Sequence, residues 1–272
     1  MPFMVTDDGI RIYYEDRGKG KPIVFVHGWS GAGKASFGIH TAYLSKRFRV
    51  ITYDLRGHGA SDRPEYGLTM TRFARDLEQL MDNLDLKDVT LVGHSMGAHI
   101  LFEYVNVFGC GRLSKAVIVD MTPKLVNDET WHMGLYHGNF DRIDNQRAMT
   151  TMCDDWGSFA EDFMYRVAPG MGPQEFKMAM KQSMANTPHV MYAMWHAMSA
   201  VDYRDTVVKI TVPTLVIYGE KSTLYSSETA NYLKSKIPDS RIVVFEGCGH
   251  MLPLENPDKF NRVIEEFASE CS

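Results

Sequence analysis

The sequence predicts an α/β fold: a mostly parallel sheet of eight strands with helices on both faces and a helical insertion after the sixth strand. Short apolar runs alternate with amphipathic stretches over residues 1–120 and again after residue 205. One apolar run leads into a Gly-x-Ser-x-Gly turn that a helical stretch follows. Residues 121–205, between the two alternating parts, show no clear strand and hold 12 of the 18 methionines, which indicates a helical segment.

The chain length allows one large α/β domain with an insertion, or two small domains, in 272 residues. Because the alternation stops and later resumes, the first arrangement fits better. We therefore expect residues 1–120 and 206–272 to form the core, and residues 121–205 to form a helical cap.

Composition limits the classes of partner and compartment. A net charge of −5 without a basic block argues against nucleic acid and anionic membrane surfaces. No signal peptide is visible, and no apolar run approaches the roughly 18–20 residues of a membrane span. The four cysteines are scattered in the manner of reduced thiols. These cysteines are Cys110, Cys153, Cys248 and Cys271. We expect a cytoplasmic monomer or homodimer that acts on a small molecule.

The first half of the chain supplies five predicted strands and three predicted helices. An Asp7-Asp8-Gly9 turn joins the first two strands as a hairpin. The next apolar runs are continuous, as expected for strands buried on both faces of a parallel sheet. The predicted strands are 2–6, 10–17, 23–26, 48–53 and 89–92, and the helices are 34–46, 70–84 and 98–108.

The second half completes the sheet. A strand at 115–119 ends at Asp120, and the alternation resumes beyond the insertion. Strands are predicted at 212–218 and 241–245, and helices at 226–236 and 257–269.

The Gly93-His94-Ser95-Met96-Gly97 turn between strand and helix predicts a nucleophile elbow. So sharp a turn brings its flanking residues against the neighbouring backbone, where glycine has no Cβ to collide. The following helix N-terminus favours developing negative charge. Ser95 is thus the candidate nucleophile. A serine needs an adjacent base, and His250, in a glycine-flanked loop after the last strand, is the candidate.

Four motifs, each after a strand, carry a resemblance to a known family. Over nearly its whole length the chain resembles α/β-hydrolases of the esterase, non-haem haloperoxidase and perhydrolase branch. The motifs are His27-Gly28-Trp29, Asp54-x-Arg56-Gly57-His58-Gly59-x-Ser61, Gly93-His94-Ser95-Met96-Gly97 and Gly247-Cys248-Gly249-His250-Met251-x-Pro253-x-Glu255-x-Pro257.

The resemblance implies a hydrolase whose cap follows strand six. It also implies an oxyanion hole formed by the backbone N–H groups of Trp29 and Met96. We expect the substrate pocket to be lined by Trp29, His94, Trp131, His132 and Trp195.

The third member of the catalytic triad departs from the family pattern. The resemblance implies an aspartate in a Gly-x-x-Asp motif after strand seven, but the chain has Ser222 there, which cannot hold a negative charge. Asp120, at the end of strand six, is predicted to replace it and to orient the imidazole of His250. Alternatively, Glu220 supplies the acid, a dyad operates without one, or Asp120 only caps the first turn of the insertion.

The sequence therefore predicts a serine hydrolase that cleaves small or medium apolar carboxylic esters through an acyl-enzyme. Perhydrolysis, acyl transfer or C–C bond hydrolysis on the same triad are alternatives, as is a ligand-binding homologue without catalysis. No cofactor or metal is expected, because the histidines of the insertion lack metal-binding spacing. These are His132, His137, His189 and His196.

Overall fold

The apolar runs form the strands of one eight-stranded sheet in the computed structural model, which describes residues 2–270. Met1, Cys271 and Ser272, which are the two ends of the predicted core and include one of the four cysteines, lie outside the described residues. The other three cysteines are free thiols. The strands are β1 Phe3–Val5, β2 Arg11–Gly18, β3 Pro22–Val26, β4 Arg49–Tyr53, β5 Val89–His94, β6 Leu113–Val119, β7 Thr214–Gly219 and β8 Ser240–Phe245.

The sheet order is β1-β2-β4-β3-β5-β6-β7-β8. Pairing is antiparallel from β1 to β2 and from β2 to β4, and parallel across the rest. The central strand β5 is buried along its whole length, which explains its continuous apolar run. Because β5 lies between β3 and β6, the loops after these three strands meet at one edge of the sheet.

Helices cover both faces of the sheet, as the alternation predicts. The helices of the alternating parts are α1 Gly33–Leu44, α2 Met70–Asn83, α3 Met96–Phe108, α10 Ser227–Lys236, α11 Leu252–Glu255 and α12 Pro257–Ser269. One face of the sheet packs against α1 and α12, and the opposite face packs against α2, α3 and α10.

The segment between β6 and β7 is helical. Its helices are α4 Leu135–Gly138, α5 Arg142–Asp154, α6 Trp156–Val167, α7 Pro173–Met184, α8 Pro188–Ser199 and α9 Arg204–Val207. The predicted fold class, including the helical insertion after strand six, is confirmed. The division into a core and a cap with boundaries at 120 and 206 stays a prediction. Within residues 2–270, no helix is both long and apolar enough to cross a membrane.

Candidate active site

Ser95 occupies the sharp turn between β5 and α3. Its backbone has φ 55° and ψ −126°, a left-handed conformation that non-glycine residues seldom adopt. The two flanking glycines are required by close backbone contacts. A Cβ on Gly97 would lie 2.1 Å from the carbonyl oxygen of Val26, and one on Gly93 would lie 2.4 Å from that of Gly97. The turn thus holds Ser95 at the carboxyl edge of the sheet, where its side chain lines a cavity.

His250 and Asp120 form a buried pair beside this turn. The Nδ1 atom of His250 lies 2.6 Å from Oδ2 of Asp120. An Nδ1–H that donates to the carboxylate leaves the lone pair on Nε2. His250 and Ser95 line the same cavity.

Asp120 is fixed by two donors besides His250. The Ser222 hydroxyl donates to Oδ2 at 2.7 Å, and the Gly219 N–H donates to Oδ1 at 3.3 Å. Ser222 stands where the family resemblance places the acid. The structure therefore brings the expected acid position and the relocated carboxylate into direct contact.

Glu220, the alternative acid, is not brought to His250. Its side chain is exposed, and its carboxylate accepts a hydrogen bond from the Gly247 N–H at 2.9 Å. This contact stabilises the turn after β8, which precedes the histidine loop. Glu220 thus shapes the loop from a distance, whereas Asp120 touches the imidazole.

The backbone of the histidine loop is held from two sides. The Nε2–H of His94 donates to the carbonyl oxygen of His250 at 2.9 Å, and the Gly249 N–H donates to Glu255 at 2.7 Å. Burial, reinforced by the nearby His250, lowers the pKa of His94 to about 3, so its ring is neutral. Sequence reasoning placed His94 in the pocket, where the structure has it, but missed its hydrogen bond to the loop.

The candidate oxyanion donors lie in the loops after β3 and β5. Within residues 2–270, neither the Trp29 nor the Met96 backbone N–H donates a hydrogen bond. Trp29 lines the cavity, and Met96 is fully buried beside Ser95. Gly28 packs against the nucleophile, because a Cβ there would lie 3.0 Å from Cβ of Ser95.

Two neutral histidines brace the Trp29 loop. His27 accepts from the Leu55 N–H at 3.0 Å, and its other ring nitrogen lies 2.8 Å from the Gly28 carbonyl oxygen. His58 accepts from the Ser30 N–H at 3.2 Å. Burial lowers the pKa of both rings, which keeps each of them able to accept a hydrogen bond.

Ser95 and His250 open onto a cavity of about 420 Å³. Its wall is mainly apolar and aromatic, and the insertion supplies much of it. The Trp29 ring packs edge-on against Phe163 and Trp195, with both centroid distances 5.3 Å. Sequence reasoning missed most of the remaining wall, which includes Leu125, Leu135, Phe163, Met164, Met171, Met178, Met198, Leu224, Tyr225 and Met251.

Two of the predicted pocket residues lie elsewhere, and their prediction was wrong. Trp131 is buried against Tyr232, with 4.8 Å between ring centroids, and its Nε1–H donates to the Lys124 carbonyl oxygen. His132 is exposed. Trp131 thus packs against α10, and neither Trp131 nor His132 lines the cavity. Trp29, His94 and Trp195 do line it.

Residues 2–270 contain no group of three or more histidine, cysteine or acidic side chains placed to hold a metal ion.

Comparison with known proteins places this architecture in a family. The family model for the alpha/beta hydrolase fold matches residues 21–257, and the chain belongs to that family. A non-heme chloroperoxidase of Kitasatospora aureofaciens is 33% identical over 99% of this chain and all of its own length. A bifunctional esterase/perhydrolase of Acinetobacter calcoaceticus is 26% identical over 98% of this chain and 99% of its own.

Solved structures agree with that assignment. An esterase from Exiguobacterium antarcticum superposes with a TM-score of 0.91 at 28% identity, covering 98% of this chain and 99% of its own. A bromoperoxidase from Bacillus anthracis gives a TM-score of 0.90, also at 28% identity, over 99% of this chain and all of its own. The predicted branch of esterases and haloperoxidases is confirmed.

Proposed function

We propose that the chain is a serine hydrolase that cleaves small or medium apolar carboxylic esters through an acyl-enzyme. The observation that carries this proposal is the buried His250–Asp120 pair, 2.6 Å apart, which opens with Ser95 onto one apolar cavity. A strained serine, a base with a fixed tautomer and an apolar substrate space are the parts that ester cleavage needs.

The proposed steps follow from the chemistry of these residues. Ser95 Oγ attacks the ester carbonyl while His250 Nε2 takes its proton, and Asp120 stabilises the resulting imidazolium. The N–H groups of Trp29 and Met96 donate to the oxyanion. His250 then protonates the leaving alcohol, and water activated by the same imidazole releases the acid and restores Ser95.

The relatives support the same reading. The names of two of them, an esterase and a bifunctional esterase/perhydrolase, include ester hydrolysis, and both are covered over nearly their whole length.

The test is hydrolysis of a p-nitrophenyl acyl-chain series by the wild type and three variants. We expect Ser95→Ala to abolish turnover and Asp120→Asn to lower kcat by about 10⁴-fold, because the amide favours the wrong imidazole tautomer. Glu220→Gln, the matched control, should stay near wild type. A serine-directed phosphonate should label Ser95. A wild type that cleaves no ester and resists the phosphonate would contradict the proposal in favour of a ligand-binding homologue.

The second candidate is a perhydrolase, in which hydrogen peroxide replaces water as the acyl acceptor. The similarity to the bifunctional esterase/perhydrolase and to the haloperoxidases favours it. Peroxide attack on the acyl-enzyme would release a peracid and regenerate Ser95. Peracid release, read as bromide oxidation, should then require an ester, peroxide and Ser95 together. Ester hydrolysis without any peracid would exclude this candidate.

A further inference from the structure

Helix α7 presents a mixed stripe to the cavity. Glu175, Met178, Ala179 and Gln182 line it. Residues three or four apart lie on one side of a helix, so this spacing turns one face of α7 towards the substrate space. The stripe is otherwise uncharged, and Glu175 brings a carboxylate to a wall that is mainly apolar.

The carboxylate of Glu175 has no side-chain partner among the residues that the structure describes. Among the described residues that line the cavity, the other ionisable side chains are His94, His250 and Tyr225. Burial raises the pKa of the Tyr225 hydroxyl well above its usual value, so this side chain is uncharged. Burial keeps His94 neutral, and His250 is paired with Asp120. No ion pair or hydrogen bond joins the Glu175 carboxylate to another side chain within residues 2–270. Glu175 is exposed to solvent, so it brings a water-screened negative charge to the open side of the cavity.

Aromatic rings complete the chemistry of the wall. Trp29, Phe163, Trp195 and Tyr225 all line the cavity. The faces of such rings attract cations, and quaternary ammonium groups in particular. A carboxylate together with aromatic surface favours a cationic group and disfavours an anionic one.

Glu175 also has a structural role that the test must separate. It is the third residue after the α7 N-cap, Gly172, where a negative charge stabilises the helix. Its carboxylate lies over that glycine, since a Cβ on Gly172 would come within 2.3 Å of Oε2. Glutamine keeps the shape and hydrogen-bonding ability of this side chain and removes only the charge.

We propose that this cavity selects esters that combine an apolar body with a cationic end group, and that Glu175 is the residue that makes this selection. The inference rests on the proposed function, because it takes Ser95 to cleave the ester held in this cavity. Esters with an anionic end group are the class that the same charge rejects.

The experiment compares matched substrates that differ only in charge. Butyrylcholine is paired with the isosteric ester in which a tert-butyl group replaces the trimethylammonium group. A second pair places the same two groups on the acyl chain of a p-nitrophenyl ester. The measured quantity is kcat/KM for the cationic ester divided by kcat/KM for the neutral ester. We expect Glu175→Gln to lower this quotient by about fivefold in at least one pair, and we expect high salt to reduce the difference between wild type and variant.

A matched control and a binding measurement keep the outcomes distinct. Glu161→Gln removes an exposed carboxylate of α6 that does not line the cavity, and it should leave the ratio unchanged. Binding of hexyltrimethylammonium, followed by tryptophan fluorescence, should weaken in Glu175→Gln by a similar factor. Neutral esters that are cleaved with an unchanged ratio in Glu175→Gln would overturn this inference alone. Failure to cleave any ester would overturn the proposed function, while the binding measurement would still decide the role of Glu175.

Discussion

At the level of single residues, the Asp120 carboxylate is held in place by several hydrogen-bond donors. Asp120 directly follows β6, with φ 45°, and accepts hydrogen bonds from His250, Ser222 and Gly219. A carboxylate with several donors has little freedom to rotate. We therefore expect Ser222 to be a positioning residue that acts on His250 through Asp120.

Ser222→Ala should lower kcat on a good ester substrate by about tenfold and leave KM nearly unchanged, because one hydrogen bond to a charged group is lost. Ser222→Thr keeps a hydroxyl and should recover part of the loss. Steady-state kinetics on a p-nitrophenyl ester measure both parameters.

Ser235→Ala is the control for that measurement, because the Ser235 hydroxyl is exposed and only donates to a carbonyl within α10. A change in KM with an unaltered kcat in Ser222→Ala would count against the positioning role.

The candidate site was partly predictable from sequence, for reasons that particular residues show. The Gly93–Gly97 motif and the strand before it place Ser95, and the end of a strand beside the elbow strand places Asp120. The pocket was harder, because a tryptophan in a helical segment is buried against whichever neighbour the chain provides. Trp195 turns towards the cavity, whereas Trp131 packs against Tyr232 on α10.

At the level of elements, the β5–α3 turn depends on the closeness of α3 to β3. The Cα of Gly97 lies so near the end of β3 that an added Cβ would meet the Val26 carbonyl at 2.1 Å. Backbone cannot give way as a flexible side chain can. The elbow therefore fixes the distance between the nucleophile and the Trp29 loop that follows β3.

Gly97→Ala should lower the free energy of unfolding by about 3 kcal/mol, at the upper end of the cost of overpacking, and also lower activity. Denaturant unfolding together with ester hydrolysis checks both effects. Gly38→Ala in α1 is the matched control, because its Cβ would meet only Lys34 Cγ at 3.6 Å. Alanine there should raise stability by about 0.5–1 kcal/mol. Equal stability of the two variants would contradict this account of the elbow.

The strands and helices of the alternating parts were predictable because each pattern matches one environment. Continuous apolar runs correspond to strands that are buried on both faces, as in β5. The amphipathic spacing of α2 corresponds to a helix that buries one face and exposes the other. Which face of α7 lines the cavity was not predictable from sequence. That face mixes methionine with glutamate, a composition that fits either a cavity wall or a solvent-exposed helix face.

At the level of the whole molecule, several histidines are buried in neutral form. His99 is one that lies outside the candidate active site; its Nε2–H donates to the Thr122 carbonyl oxygen at 2.7 Å. Burial lowers the pKa of His99 from 6.5 to about 4. Between these values the unfolded chain binds a proton that the folded chain does not. The stability that the neutral His99 ring contributes is therefore fully present above pH 6.5, and this contribution is lost as the pH falls towards 4.

His99→Gln should flatten this dependence, because the amide can still donate to Thr122 but does not titrate. The slope of the unfolding free energy against pH should decrease by up to about 1.4 kcal/mol per pH unit in that window. Urea unfolding at a series of pH values measures it. His189→Gln, which changes an exposed histidine, is the control and should keep the wild-type slope. Identical slopes in all three proteins would refute the role of His99.

The position of Asp120 has a consequence for exchanging parts between relatives. Asp120 directly follows β6 at the start of the helical segment, and Ser222, which donates to its carboxylate, lies just beyond β7. A graft that replaces the segment between β6 and β7 thus joins the chain directly at Asp120. We expect a chimera to keep the contact between Asp120 and His250 only if its first junction leaves the backbone at Asp120 unchanged.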